Sequence, residues 1–219
     1  MISILKGLRN YNVKGIEMYD IRKATFGRLP IYLKYLTSLD DSVVYVSSSQ
    51  IAKALGLGDV QVKKDLGSIS GKGKPKIGYE KAVLIEDLKQ FITKNHQTKV
   101  VLVGVGKLGN ALLDYDGFRK FGLSIATAFD SDPNKIGKSE QNKSILPVEE
   151  LGSYCKENGV EIGIIAVPAK FAQSVCDVLI ENGVKAIWNF APVKLVIPEN
   201  VILKQEDLSL SLAYLNLQI

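Results

Sequence analysis

Two hydrophobic rhythms divide the chain. From Thr25 to Leu39 the apolar residues Phe26, Leu29, Ile31, Leu33, Leu36 and Leu39 recur at helical spacing. With Pro30 tolerable in a first turn, the pattern predicts one short amphipathic helix. After a turn at Asp40-Asp41 comes the extended run Val43 to Val46. Ser47-Ser48-Ser49 then offers hydroxyls for a helix N-cap ahead of Gln50 to Leu55. Gly56 and Gly58 bracket a tight turn. A second helix over Asp59 to Ile69 follows, with Gln61, Lys63 and Lys64 outward and Val60, Val62 and Leu66 inward. Two short helices across a Gly-containing turn form a helix-turn-helix. The basic, Gly/Pro-punctuated stretch Gly71 to Tyr79 predicts the end of a β-ribbon, the wing of a winged helix. Val83 to Thr93 predicts a connecting helix and Asn95 to Thr98 a polar linker.

Beyond the linker the period changes. Lys99 to Val103 is a buried-strand run, followed by a glycine-rich turn and an apolar-periodic helix through Phe118. Leu123 to Phe129 predicts a strand ending in Asp130, Val148 to Glu157 a helix, and Ile162 to Val167 a strand. Ala169 to Asn182 predicts a helix closed by Gly183, Ala186 to Phe190 a strand, and Val201 to Lys204 a last short strand. Strands alternating with helices predict a doubly wound parallel α/β sheet of Rossmann type. The final segment, Asp207 to Ile219, is a helix so apolar that something must cover it. The resulting organisation is an N-terminal extension (1–20), a winged-helix domain (21–94), a Rossmann domain (99–206) and a C-terminal dimerisation helix (207–219). Met18 offers a second possible start, so the extension is either a dispensable leader or a misassigned start.

Charge sharpens the division. The 219 residues carry a formal net charge of +5. Residues 1–98 hold sixteen Lys and Arg against nine Asp and Glu, whereas residues 99–219 hold twelve against fourteen. The N-terminal half is therefore the candidate for a polyanion such as nucleic acid. Apolar runs such as Ile162 to Val167 are far too short to cross a bilayer, and residues 1–17 carry no export signal. Cys155 and Cys176 have neither CxxC spacing nor a histidine partner, so no disulfide framework, no metal site and a reduced cytoplasmic location are expected.

Gly104-x-Gly106-x-x-Gly109 sits between a predicted strand and a helix, and Asp130 ends the next strand, which is the context of a dinucleotide fingerprint. The first glycine permits the turn and the second removes the side chain that would block a pyrophosphate. The third lets helix and strand approach. Asp130 is suited to the adenosine ribose hydroxyls and its charge would repel a 2′-phosphate, favouring NAD(H). The loop also contains Val105, Lys107 and Leu108, and Lys107 is either a phosphate contact or a solvated cation. A glycine turn with no ligand is the plain alternative. Catalysis is disfavoured, because the single histidine, His96, lies in the linker. Lys53, Lys63, Lys64, Lys72, Lys74 and Lys76 lie on the helix-turn-helix and wing, where phosphate contact requires cations; otherwise they are a solvated face. Among four arginines only Arg28 is well placed beside them.

From Ile21 onward the chain resembles the Rex family of bacterial redox-sensing repressors. The likeness is carried by Ala24-Thr25, Arg28-Leu29-Pro30-x-Tyr32, Ser47-Ser48, Gln61 to Leu66 and Gly78-Tyr79. In the second half it is carried by the glycine loop, Phe129-Asp130-x-Asp132-Pro133-x-Lys135-Ile136-Gly137, Ile164 to Pro168, and Asn189-Phe190-Ala191-Pro192. The resemblance implies a homodimer with exchanged C-terminal helices that binds a palindromic operator when NADH is low and releases it when NADH binds. It implies DNA contacts at Arg28, Ser47, Ser48, Gln61, Lys63, Lys64, Lys74 and Lys76. Around the dinucleotide it implies the loop Gly104 to Gly109, Tyr115, Asp130, Ala166-Val167-Pro168 and Asn189-Phe190, with Lys34 and Asp207 as an inter-domain switch pair. Departures are Gly67-Ser68-Ile69-Ser70, which lacks two aromatics of the family pattern, and Pro75 at the usual wing arginine. They leave open a dinucleotide-binding relative with weakened or altered DNA specificity; an NAD-dependent oxidoreductase is the remaining alternative.

Overall fold

The computed structural model describes residues 23–71, 73–93, 98–139 and 142–219; the N-terminal extension, Lys72 and His96 lie outside them. The chain divides into two compact units, residues 1–96 and 97–219.

The first unit begins with α1 (Lys23–Phe26) and α2 (Leu29–Ser38), where the sequence pattern predicts a single helix. Pro30 has no N–H for the Phe26 carbonyl, so the helix stops at Gly27-Arg28 and restarts with Pro30 in its first turn. A two-stranded antiparallel ribbon joins β1 (Tyr45–Val46) to β2 (Tyr79–Glu80). Between them lie α3 (Ser48–Leu55) and α4 (Asp59–Ser70), and α5 (Lys81–Thr93) closes the unit. Ser47 caps α3 in a reciprocal capping box with Gln50, and Gly56 ends that helix in the left-handed region at φ 64°. Leu29, Tyr32, Leu33, Leu36, Ile51, Val62, Leu66, Leu84 and Leu88 form the buried interior. Val60 is not among them. It is 68% exposed, because the buried stripe of α4 runs through Val62, Asp65, Leu66 and Ile69 and leaves Val60 on the opposite face.

The second unit is built on a seven-stranded sheet. Its strands are β3 (Thr98–Val103), β4 (Leu123–Asp130), β5 (Gly137–Lys138), β6 (Ser144–Pro147), β7 (Ile162–Ile165), β8 (Ala186–Asn189) and β9 (Ile202–Gln205). The order is β5-β6-β4-β3-β7-β8-β9, parallel except for the antiparallel edge pair β5–β6. Without that edge strand this is the doubly wound Rossmann order, with its switch point between β3 and β7. The edge pair is absent from the sequence reading. β6 is four residues ending in proline, too short to show a period.

Side chains of β3 alternate between two cores. Val101 and Val103 pack with Leu151 and Cys155 of α7 (Leu151–Asn158) and with Ala172, Cys176 and Leu179 of α8 (Ala169–Glu181). Val100 and Leu102 pack on the other face with Leu113 of α6 (Lys107–Leu113), Ile125 and Ile164. The predicted helix through Phe118 ends earlier, at Leu113. A 3-10 turn over Asp116–Phe121 follows, and a Cβ at Gly117 would overlap the Tyr115 ring. The last helix, α9 (Leu208–Asn216), starts at Asp207, whose Oδ1 accepts from Ser209 N at 2.9 Å and Leu210 N at 3.2 Å.

Candidate nucleotide crevice and basic face

The ladder of the parallel sheet runs one step past its strands. Gly104 N donates to Phe129 O at 2.8 Å, Ala166 N to Val103 O at 2.8 Å and Phe190 N to Ile165 O at 2.9 Å. Those bonds align the loops after β3, β7 and β8 at the switch point, the place where open α/β sheets take ligands. The three fingerprint glycines have different reasons to be glycine. Gly104 has φ +96°, and a Cβ there would lie 2.6 Å from the Ala166 carbonyl oxygen. A Cβ at Gly109 would fall on the Gly104 carbonyl oxygen. At Gly106 a Cβ would meet nothing within 4 Å, and the residue is the exposed N-cap of α6. Gly104 and Gly109 hold the loop together; only Gly106 leaves room that the protein does not use, as close approach of a phosphate requires. Lys107 and Leu108 are exposed beside it, Val105 is buried, Val167 is half-buried, and Pro168 is exposed at the start of α8.

Asp130 is 8% exposed. Its Oδ2 accepts from Val105 N at 2.7 Å and from the Lys135 ammonium at 3.1 Å, and its Oδ1 accepts from Asp132 N at 2.9 Å. Burial alone would raise its pKa, but the Asp132 and Val105 N–H groups and Lys135 outweigh it and hold the carboxyl below the usual range. The expectation of a ribose-binding acid is therefore refined: the carboxylate first fastens the glycine loop to β4 and has a lysine beside it. Lys135, quoted in the sequence only as part of a motif, is the residue missed here.

Asn189 departs further from expectation. It is 0% exposed, and both ends of its amide bond to protein: Nδ2 donates to Gln205 Oε1 at 2.8 Å and Val193 O at 3.1 Å, and Oδ1 accepts from Ala191 N at 3.0 Å. Its amide holds the turn after β8 together. Phe190 instead joins an aromatic file: its ring lies 4.6 Å from Trp188, Trp188 lies 5.9 Å from Phe118, and Phe118 lies 5.0 Å from the exposed Tyr115. Below this file is a groove of about 400 Å³ on the sheet face, lined by residues such as Val100, Ile125, Ile162, Ile164 and Ile202.

In the first unit, Gln61, Lys63 and Lys64 lie exposed on α4, and Lys74 and Lys76 lie exposed on the hairpin after it. Behind that surface is a buried carboxylate which the sequence pattern does not reveal. Asp65 is 5% exposed and accepts four hydrogen bonds, from Arg28 Nε at 2.7 Å, Arg28 Nη2 at 2.9 Å, Tyr32 OH at 2.7 Å and Thr25 Oγ1 at 2.9 Å. Burial opposes the charge of Asp65, but these donors prevail and hold its pKa low. Burial, then the hydrogen bond to Asp65, pushes the Tyr32 phenol up to about 12. Arg28, the N-cap of α2, is thus paired with Asp65 of α4. Ser47 is spent on its capping box, and the Ser48 hydroxyl donates to Asp59 at 3.0 Å. Lys34 is exposed on α2.

Among the described residues no cluster of His, Cys, Asp and Glu could hold a metal ion, and no helix is long and apolar enough to cross a membrane. A family described as CoA binding domain matches residues 95–193, and one described as putative DNA-binding protein N-terminus matches residues 20–67. The redox-sensing transcriptional repressor Rex of Carboxydothermus hydrogenoformans is 41% identical over 92% of this chain and 97% of its own length. That of Treponema denticola is 40% identical over 88% of this chain and 92% of its own. The crystal structure of RSP with β-NAD+ and operator DNA superimposes with a TM-score of 0.83 at 31% identity, covering 90% of this chain and 92% of RSP. RSP with β-NADH gives a TM-score of 0.80 at 30% identity, covering 91% and 94%.

Proposed function

This chain belongs to the family of Rex redox-sensing transcriptional repressors, and from that premise we propose how its residues divide the work. It grips a palindromic operator through the lysines of α4 and the hairpin and lets go when NADH enters the crevice at the β3–β7 switch point. It is a regulator, not an enzyme, and its place is the cytoplasm, where DNA and the dinucleotide pool meet.

The observation that carries this reading is Gly106. The residue keeps open space at the N-terminus of α6, in the one position where a dinucleotide pyrophosphate needs backbone without a side chain. Asp130 and Lys135 hold the adenosine end of the crevice, and Tyr115, Phe190 and the 166–168 turn bound the rest. A bound dinucleotide supplies no chemistry beyond its redox state, because regulation needs only unequal affinity for two arrangements of the protein.

On the DNA side, Gln61, Lys63 and Lys64 enter the major groove while Ser47 and Ser48 flank the backbone. Lys34 and Asp207 are the pair through which one unit answers the other. Seven exposed apolar side chains on and after α9 and the apolar groove on the sheet face both need cover, which supports a homodimer with exchanged C-terminal helices.

The separating experiment is the double change Lys63→Ala with Lys64→Ala. Duplex affinity should fall at least tenfold, with a salt slope shallower by about 2, while NADH affinity measured by calorimetry stays unchanged. Equal losses in both assays would contradict this division of labour.

A further inference from the structure

The face of α4 that points away from the core is not polar throughout. The buried stripe runs through Val62, Asp65, Leu66 and Ile69. At 3.6 residues per turn, the line opposite that stripe passes through Val60, Lys64 and Gly67, with Gln61 and Lys63 to either side of it. Val60 is 68% exposed, although a β-branched side chain left in the open neither buries apolar surface nor favours a helix. Its turn is held in place: Asp59 Oδ1 accepts from the Ser48 and Ser49 hydroxyls of α3, both at 3.0 Å. Gly67 is equally unexplained by the fold. It lies inside the helix, where glycine is weaker than alanine, yet a Cβ there would meet nothing within 4 Å. Neither packing nor backbone conformation asks for these two residues, and both lie on one line.

We infer that Val60 is a specificity-determining residue that reads a thymine by its C5-methyl group, and that Gly67 lets the same face of α4 come close enough for that contact. The inference rests on α4 entering the major groove. Phosphates are met by cations, and Lys63 and Lys64 follow Val60 within about one turn. Of the groups that base pairs present in the major groove, the donors and acceptors call for polar partners, and only the thymine methyl is apolar. An exposed isopropyl group carried into that groove therefore has one matching occupant. Val60 is the second residue of α4, and the N-terminal residues of a recognition helix are those that meet base edges. Gly67, about two turns further along the same line, removes the side chain that would hold the helix off the groove.

The test uses the full chain to enrich a duplex from a random pool, and then replaces each thymine in turn by deoxyuridine, which keeps the base pairing and removes only the methyl. At one thymine of each half-site the loss should weaken binding about fourfold, as one lost apolar contact implies, and at the others less than about twofold. Val60→Ala should weaken binding to the thymine duplex by a similar factor and make thymine and uracil equivalent at that position. It should melt no lower than the native protein, because alanine favours the helix. Gly67→Ala should melt at a higher temperature than the native protein and yet bind the duplex at least about fivefold more weakly. A duplex with no thymine sensitive to the methyl, a sensitivity that survives Val60→Ala, or a Gly67→Ala protein that binds as tightly as the native one would overturn the inference while leaving the DNA-binding reading intact. Failure to enrich any duplex would remove both.

Discussion

At the scale of single residues, the three fingerprint glycines make separable predictions. Gly104 and Gly109 are required by the fold, since a Cβ at either would press on backbone. Gly106 is not so required, and its φ of −81° suits any residue. Gly106→Ala should therefore leave stability to urea within about 0.5 kcal/mol of the native protein and weaken NADH binding at least tenfold. Trp188, the single tryptophan, packs against Phe190 with the two rings tilted and makes the measurement direct: its emission should be quenched by NADH in the native protein and spared in the variant. A variant that binds NADH normally would mean the open space beside Gly106 serves no ligand. The loop glycines and Asp130 were legible in the sequence because their spacing follows the geometry of a strand–turn–helix. The partners of Asp130, and the full burial of Asn189, were not. Both depend on chain segments whose approach is set by the sheet, not by local pattern.

At the scale of elements, periodicity located α3, α4, α5, α8 and five of the six strands that form the parallel order. It failed where a residue's environment comes from elsewhere in the chain. Asp65 lies between Val62 and Leu66 and reads as an outward charge, yet it is buried against Arg28, 37 positions earlier. Removing its charge leaves Arg28 unpaired, so Asp65→Asn should cost roughly 3 kcal/mol in urea unfolding and loosen DNA binding with NADH affinity retained.

The same cluster sets a pH dependence. Tyr32 titrates near 12 rather than 10.0, so the folded state holds its proton more tightly than the unfolded chain. Its contribution is intact below pH 10 and is lost as pH rises through 12. Asp65 acts in the opposite sense: its depressed pKa gives stability that is full above its ordinary value of 3.8 and fades as pH falls below it. Tyr32→Phe should flatten the alkaline limb of the stability profile and, because the Asp65 carboxylate loses one of its donors, weaken the acid limb as well. An alkaline limb identical to that of the native protein would contradict the assignment to Tyr32.

At the scale of the whole molecule, the account needs two copies and a linkage. Leu208, Leu210, Leu212, Tyr214, Leu215, Leu217 and Ile219 are each at least 58% exposed. Burying one such leucine contributes roughly 1.5–3 kcal/mol, so a second chain that covers α9 gains a great deal. Truncation before Asp207 should yield monomers in sedimentation with NADH binding retained; a folded dimer without α9 would refute the exchange.

The central claim is that occupancy of the crevice sets the grip of the basic face. The direct measurement is a titration of a fluorescent duplex, enriched by this protein from a random pool, with NADH and separately with NAD+. NADH should release the duplex from the native protein but not from Gly106→Ala, and NAD+ at the same concentration should leave it bound. Retention of the duplex at saturating NADH, with binding reported by Trp188 in the same cuvette, would contradict the account.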